Sequence, residues 1–224
     1  PILYYGTPDQ KKKYIPGLAT GNLIGAYCLT EADAGSDPNS GKSEAILSKD
    51  GKHYILNGVK IWITNGGVAD IFIVFAKLKG DKNLSAFIIE RDWEGVSVGV
   101  DEEKMGIKGS STVQLYLDDV KVPINNLLGE PNGGFKIALN VLNLGRIKLS
   151  GATVGAAKAT ITNSLNYANE RKQFGQPLSD FGAIKFKLAE MAIRTFVSES
   201  LTYRVSQSID DAIQSIVDDG VDKG

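Results

Sequence analysis

The chain changes its grammar once, near Pro123, and that change limits what it can fold into. From Asn22 to about Val122 it reads as short β-branched and apolar runs: Ile24 to Leu29, Tyr54 to Leu56, Ile61 to Thr64, Ile71 to Ala76, Leu84 to Ile89 and Val113 to Leu117. Between them stand Asp50-Gly51, Asn57-Gly58 and Gly80-Asp81, dipeptides that tight turns select. This spacing predicts antiparallel strands in a sandwich or barrel-like domain rather than alternating βαβ units. Glycine fits the same picture, at 25 of 224 residues against a usual level near 7%. After the linker Gly129-Glu-Pro-Asn-Gly-Gly134 the period becomes helical. Val154, Ala157, Ile161, Leu165 and Ala168 step by three and four, as do Phe181, Ile184, Leu188 and Met191, continued at Leu201, Val205 and Ile209. Two long helices joined by Phe174-Gly-Gln-Pro177 form half of a bundle, and half a bundle needs partner helices to cover its second face. The expected class is therefore α+β, divided into 1–21, a β-domain over 22–128, and bundle helices over 129–224.

The first segment carries a helix start in Thr7-Pro-Asp-Gln10, with Thr7 as N-cap, Pro8 at the first helical position and Gln10 completing a capping box. Pro16 and Gly17 are expected to stop that helix after about two turns. Lys11, Lys12 and Lys13 read as a solvated face.

Several function classes drop out. A net charge of -1 gives no electrostatic reason for a nucleic-acid or anionic-membrane partner. No apolar run approaches the roughly 18 to 20 residues that cross a bilayer, so membrane association is not indicated in this segment. Gly151 and Gly155 form a GxxxG spacing, but Lys148 and Lys158 beside it point to close packing of soluble helices. His53 is the only histidine, which excludes a histidine triad or a multi-histidine metal site; beside Asp50-Gly51 it reads as an exposed turn residue. The lone Cys28 cannot form an intrachain disulfide, and in an apolar strand it reads as buried filler. Gly35 to Ser43 nearly spells a phosphate-binding P-loop, but with five residues between Gly35 and Gly41 and the strand-like Glu44 to Leu47 after it, no helix N-terminus is offered to phosphate. No G-x-G-x-x-G follows a strand. Pro1 in place of an initiator methionine leads to the expectation of a segment of a longer protein.

Two stretches remain: Tyr27-Cys-Leu-Thr-Glu-Ala-Asp-Ala-Gly-Ser-Asp37 and Ile61-Trp-Ile-Thr-Asn-Gly-Gly67. Each is an apolar run that ends in a threonine and breaks into small residues, which delivers hydroxyls and bare amides to a ligand. Together with Lys104-Met-Gly-Ile-Lys108, Val122-Pro123, Asn126-Leu-Leu-Gly129, Leu142-Asn-Leu-Gly-Arg146 and Glu170-Arg-Lys-Gln-Phe-Gly-Gln-Pro-Leu178, in this order and spacing, they make the chain resemble the acyl-CoA dehydrogenase family, and its very-long-chain-type members in particular.

The resemblance implies a middle β-domain flanked by helical domains, FAD as cofactor, and dehydrogenation of an acyl-CoA thioester across its α and β carbons. It implies that Tyr27, Leu29, Thr30, Ile63 and Thr64 contact the flavin, that Trp62 packs against its ring system, that Gly35 lets the loop approach and that Ser36 contacts the substrate side. Arg171, Gln173 and Phe174 match the motif that meets the pyrophosphate and adenine end of the flavin across a subunit interface, which implies a homodimer or homotetramer; an arginine fork suits phosphate. Asn143, Gly145 and Arg146 fall where the family meets acyl-CoA. The catalytic glutamate is expected beyond Gly224, because the alternative position matches Gly145, so no catalytic acid or base is assigned, nor any metal ligand. The implied electron acceptor is an electron-transfer flavoprotein, and the implied compartment the bacterial cytoplasm or the mitochondrial matrix. A non-catalytic scaffold that keeps the fold, and an acyl-CoA oxidase-type flavoenzyme, are the alternative readings.

Overall fold

The computed structural model describes residues 1–218; the last part of the expected helical span, 219–224, lies outside the described residues. They fall into two compact units, 1–141 and from Leu142 onward.

The first unit begins with one helical turn, α1 (Ile2–Tyr5), and the helix α2 (Pro8–Thr20). Thr7 and Gln10 close the expected capping box: the Gln10 amide donates to Thr7 Oγ1 (3.2 Å) and the Thr7 amide to Gln10 Oε1 (3.0 Å). Pro16 and Gly17 do not stop α2, which runs on to Thr20 and ends at Gly21. Proline removes one amide from a turn close to the helix end, and a Cβ on Gly17 would stand 2.6 Å from Leu23, so close packing is what requires the glycine. Lys12 and Lys13 are exposed as expected, and Lys13 pairs with Glu90 at 2.7 Å on that surface.

An eight-stranded sheet follows: β1 (Gly25–Cys28), β2 (Glu44–Leu47), β3 (His53–Thr64), β4 (Ile71–Leu78), β5 (Leu84–Glu90), β6 (Val96–Val98), β7 (Thr112–Pro123) and β8 (Leu127–Leu128). The strand order is β6-β7-β3-β2-β4-β5-β8, with β1 paired to β4. Most ladders are antiparallel as expected, but β1 and β2 both run parallel to β4, at residues 71–74 and 77–78 of its one edge. The chain leaves that edge after β1 and comes back to it in β2 along the same direction, which a hairpin cannot do.

β4, Ile-Phe-Ile-Val-Phe-Ala-Lys-Leu, is the unbroken apolar run of a strand covered on both faces. Phe72, Val74 and Ala76 enter one core with Cys28, Leu56, Ile63, Phe87 and Leu115. Ile71, Ile73 and Phe75 enter the other with Tyr14, Leu29, Ile88, Ile137 and Ala138.

Asn57-Gly58 is not a turn. It lies inside β3 at a register shift against β7 between Leu56 and Gly58, and a Cβ at 58 would sit 2.2 Å from Ser43 Oγ, so the glycine serves close strand approach. Asp50-Gly51 and Gly80-Asp81 do turn the chain. His53 begins β3 and is half-buried rather than an exposed turn residue.

The second unit contains the rest of α3 (Gly134–Glu170), the hairpin β9 (Lys172–Gln173) and β10 (Gln176–Pro177), and α4 (Gly182–Asp218). Lys158 and Glu199 join the two helices in an ion pair. Phe186, Phe196, Leu201 and Tyr203 on α4 are each more than 60% exposed, as the half-bundle expectation requires.

Gly95 (φ 85) lies between Trp93 and β6, and a Cβ there would meet the Asp118 carbonyl oxygen at 2.1 Å. Gly51 (φ 67) is also left-handed, but a Cβ there meets nothing within 4 Å. Gly95→Ala is expected to cost about 3 kcal/mol or more and Gly51→Ala about 1–2 kcal/mol, read by denaturant unfolding of the protein.

Candidate functional site

The site grows from the way the sheet is opened. Between Cys28 and Glu44 the chain leaves β4, and this detour carries Thr30, Gly35 and Ser36. Its first residues lie on β3: the Ile61 amide donates to the Thr30 carbonyl at 2.9 Å. There β3 breaks register against β7 a second time, between Lys60 and Ile63. A bulge re-aims side chains, and Trp62 in this one has φ 59 and is 58% exposed. For a bulky aromatic residue that backbone region is an outlier of the kind that concentrates at ligand sites.

Around the bulge the turn 65–69 is tightly built. The Asn65 amide donates to the Ser111 carbonyl (3.0 Å) and that of Gly67 to Ser111 Oγ (3.1 Å), while the Arg91 guanidinium donates to the carbonyls of Gly66 and Ala69. A rigid frame thus holds Thr64 and Trp62 outward. Among the described residues the hydroxyls of Thr30, Ser36 and Thr64 have no hydrogen-bond partner. Gly35, Ser36 and Thr64 are exposed and Thr30 is half-buried, so all four are open to solvent.

Other expected site residues have committed side chains. Leu29 and Ile63 are buried in opposite cores and can offer a ligand only backbone. Tyr27 packs on Phe75 (ring centroids 5.1 Å apart), donates its hydroxyl to the Ala138 carbonyl (3.3 Å), and burial raises its phenol above the ordinary value. Burial likewise pushes the Cys28 thiol up, which removes it as a nucleophile.

The sequence reading missed the pair beneath these residues. Lys60 is 1% exposed and donates to Glu31 Oε1 (2.6 Å) and to the Leu29 carbonyl (3.3 Å). Glu31 also accepts the amides of Lys42 (2.6 Å) and Ser43 (3.1 Å). Burial would raise the Glu31 carboxyl, but the Lys60 charge and these donors outweigh it and hold the group below the ordinary carboxylate range. Burial pulls the Lys60 ammonium down, and Glu31 opposes that pull. A signal existed: Lys60 shares strand parity with the core residues Tyr54 and Leu56.

In the second unit, Asn143 and Arg146 are exposed on α3 and joined by a hydrogen bond from Arg146 Nη1 to Asn143 Oδ1 (2.7 Å), and Gly145 beside them leaves open space. Phe174 (φ 52) and Gly175 (φ 80) are the central residues of the β9–β10 turn, where two left-handed residues match the twist of the strands. Phe174 is 93% exposed, and Arg171 and Gln173 beside it are exposed as well. A groove of about 980 Å³ in the first unit lies elsewhere, between Lys13, Glu90, Trp93 and Asp118, and contains no residue expected at the site. Among the described residues no cluster of His, Cys, Asp or Glu could hold a metal ion, and no helix is long and apolar enough to cross a membrane.

Comparison with known proteins gives two family matches: acyl-CoA dehydrogenase, middle domain, over residues 26–120, and acyl-CoA dehydrogenase, C-terminal domain, over 132–220. A probable acyl-CoA dehydrogenase of Bacillus subtilis is 52% identical over 91% of this chain and 34% of its own length. The very long-chain specific acyl-CoA dehydrogenase of rat mitochondria is 48% identical over 93% of the chain and 33% of its own. The chain therefore spans about a third of the length of these relatives. In structure it is similar to an acyl-CoA dehydrogenase from Bacillus anthracis complexed with FAD, with TM-score 0.93 and 48% identity over 100% of this chain and 39% of that one.

Removing one partner of a buried pair leaves the other charge stranded. Lys60→Met is expected to cost about 3–5 kcal/mol, and Lys60→Met/Glu31→Gln to recover most of it. Because Glu31 lies below its ordinary value, its contribution is present at neutral pH and fades as pH falls through the lowered value. Glu31→Gln should flatten that acid limb in unfolding curves taken against pH.

Proposed function

The chain belongs to the acyl-CoA dehydrogenase family, and on that premise we propose that it supplies the middle sheet and first bundle helices of an enzyme that dehydrogenates acyl-CoA thioesters with FAD. The observation that carries the reading is the left-handed, exposed Trp62 beside the unpartnered hydroxyls of Thr30 and Thr64. These groups suit a flat, polar-edged ring system: an indole face for the rings, hydroxyls and amides for the edge. The chemistry that FAD contributes when bound is acceptance of the hydride that leaves the β-carbon.

Thr30, Thr64 and the backbone of Tyr27, Leu29 and Ile63 are the donors proposed to face the flavin. Fixed in advance by β3 and the loop, they favour negative charge where it develops, with no reorganisation at the moment of reaction. Gly35 and Ser36 offer bare amides and a hydroxyl on the substrate side. Arg171, Gln173 and Phe174 present a guanidinium, an amide and a ring that suit the pyrophosphate and adenine end, reached across a contact with a second copy of the chain. Asn143, Gly145 and Arg146 form the acyl-CoA side of the helical unit.

Glu31 is engaged by Lys60, and position 145 is a glycine, so neither takes the α-proton. That carboxylate we assign to the remainder of the full-length protein, and the departing electrons to an electron-transfer flavoprotein.

Anaerobic addition of acyl-CoAs of graded chain length to the full-length protein loaded with FAD is expected to bleach the oxidised flavin. Bleaching by none of them would overturn the reading, and rapid reoxidation by oxygen alone would make the enzyme an oxidase. Trp62→Asn, which relieves the left-handed strain, should leave thermal stability unchanged or raised while weakening FAD binding by about 1 kcal/mol, roughly fivefold.

A further inference from the structure

The Lys60–Glu31 pair has no role in the chemistry above, yet it sits at the neck of the loop that delivers Thr30. Three hydrogen bonds fix the first residues of that loop to β3. The Ile61 amide holds the Thr30 carbonyl at 2.9 Å, and Lys60 Nζ holds the Leu29 carbonyl at 3.3 Å and Glu31 Oε1 at 2.6 Å. One lysine thereby grips both neighbours of Thr30. Glu31 then gathers the amides of Lys42 and Ser43, where the chain returns to the sheet, and closes the loop on itself. Packing alone does not account for this. Apolar side chains of similar volume fill a core at equal or better stability than a buried ion pair, but they cannot hold a carbonyl and two amides in fixed directions as charged partners do.

We propose that Lys60 and Glu31 are positioning residues of the flavin site: the pair fixes the Thr30 hydroxyl relative to Trp62 and Thr64, and so governs how tightly flavin is held and how readily it is reduced. This inference rests on the flavin reading above. With the clamp gone, a single backbone hydrogen bond anchors Thr30 to β3, and a displacement of about 1 Å in a preorganised site costs as much as a hundredfold.

The test compares wild type, Lys60→Met, Lys60→Met/Glu31→Gln and Gly95→Ala in the full-length protein. Its readouts are thermal unfolding, the dissociation constant for FAD, the visible spectrum of the bound flavin and its midpoint potential. The double variant is expected to regain most of the thermal stability lost in Lys60→Met, yet to bind FAD about tenfold or more weakly than wild type, with an altered spectrum and a lower potential. Gly95→Ala, destabilised at the far strand pair, should keep the wild-type affinity and spectrum in its folded fraction. A double variant with wild-type affinity, spectrum and potential would overturn the proposal, and so would affinities that follow stability alone across the set. A wild-type protein that takes up no FAD would remove the flavin reading together with this one, whereas wild-type binding with an indifferent double variant removes this one only.

Discussion

A lysine with 1% of its surface exposed keeps its charge at low cost only with an anion beside it, and the loop after β1 supplies one at Lys60. The anion is Glu31, which can reach the core face of β3 only if the chain leaves β4 after Cys28 and crosses to β3 at once. That crossing sets Thr30 on the strand beside the Trp62 bulge, and the second half of the loop must return with its amides pointed at the same carboxylate. One buried charge thus ties together a strand end, a loop and a bulge that lie far apart in sequence. The apolar cores on either side of β4 provide most of the driving force for folding, but they are indifferent to the direction in which Thr30 points.

Strain marks the two candidate flavin-contacting elements independently. Trp62 in β3 and Phe174 in the β9–β10 turn are large aromatic residues in left-handed backbone, and both are exposed. Asparagine or glycine would occupy either place at lower conformational cost. Phe174 meets the Phe181 ring edge-on, at 6.3 Å between centroids, but an exposed ring contributes little to folding, and each residue leaves much of its ring open to solvent.

Much of this was legible in the amino-acid sequence because the relevant signals are local. The alternation and length of the apolar runs gave the strands, the step of three and four gave α3 and α4, and Thr7 with Gln10 gave the start of α2. The loop between β1 and β2 and the Ile61 to Gly67 stretch read as candidates to face a ligand by their threonines and small residues, and both present exposed residues. The errors came where tertiary packing overrode local preference. Gly17 and Gly58 are required by close contact with Leu23 and Ser43, partners invisible to a local reading, so a helix continued and a strand did not turn. Glu31 and Lys60 went unnoticed because a charge at a core position is recognisable only once its partner is placed. The parity of Lys60 with Leu56 was a clue, but nothing around Glu31 distinguished it from a surface loop residue.

The sharing of one β4 edge between β1 and β2 has a consequence for how such a chain can diverge. Both ends of the intervening excursion are docked on the same strand, whose alternating side chains lock its own alignment. Residues can therefore be inserted or deleted between Ala32 and Gly41 without shifting either docking point. A lineage can remodel the exposed tip of this loop while the hydroxyls of Thr30 and Thr64 stay where the sheet has put them.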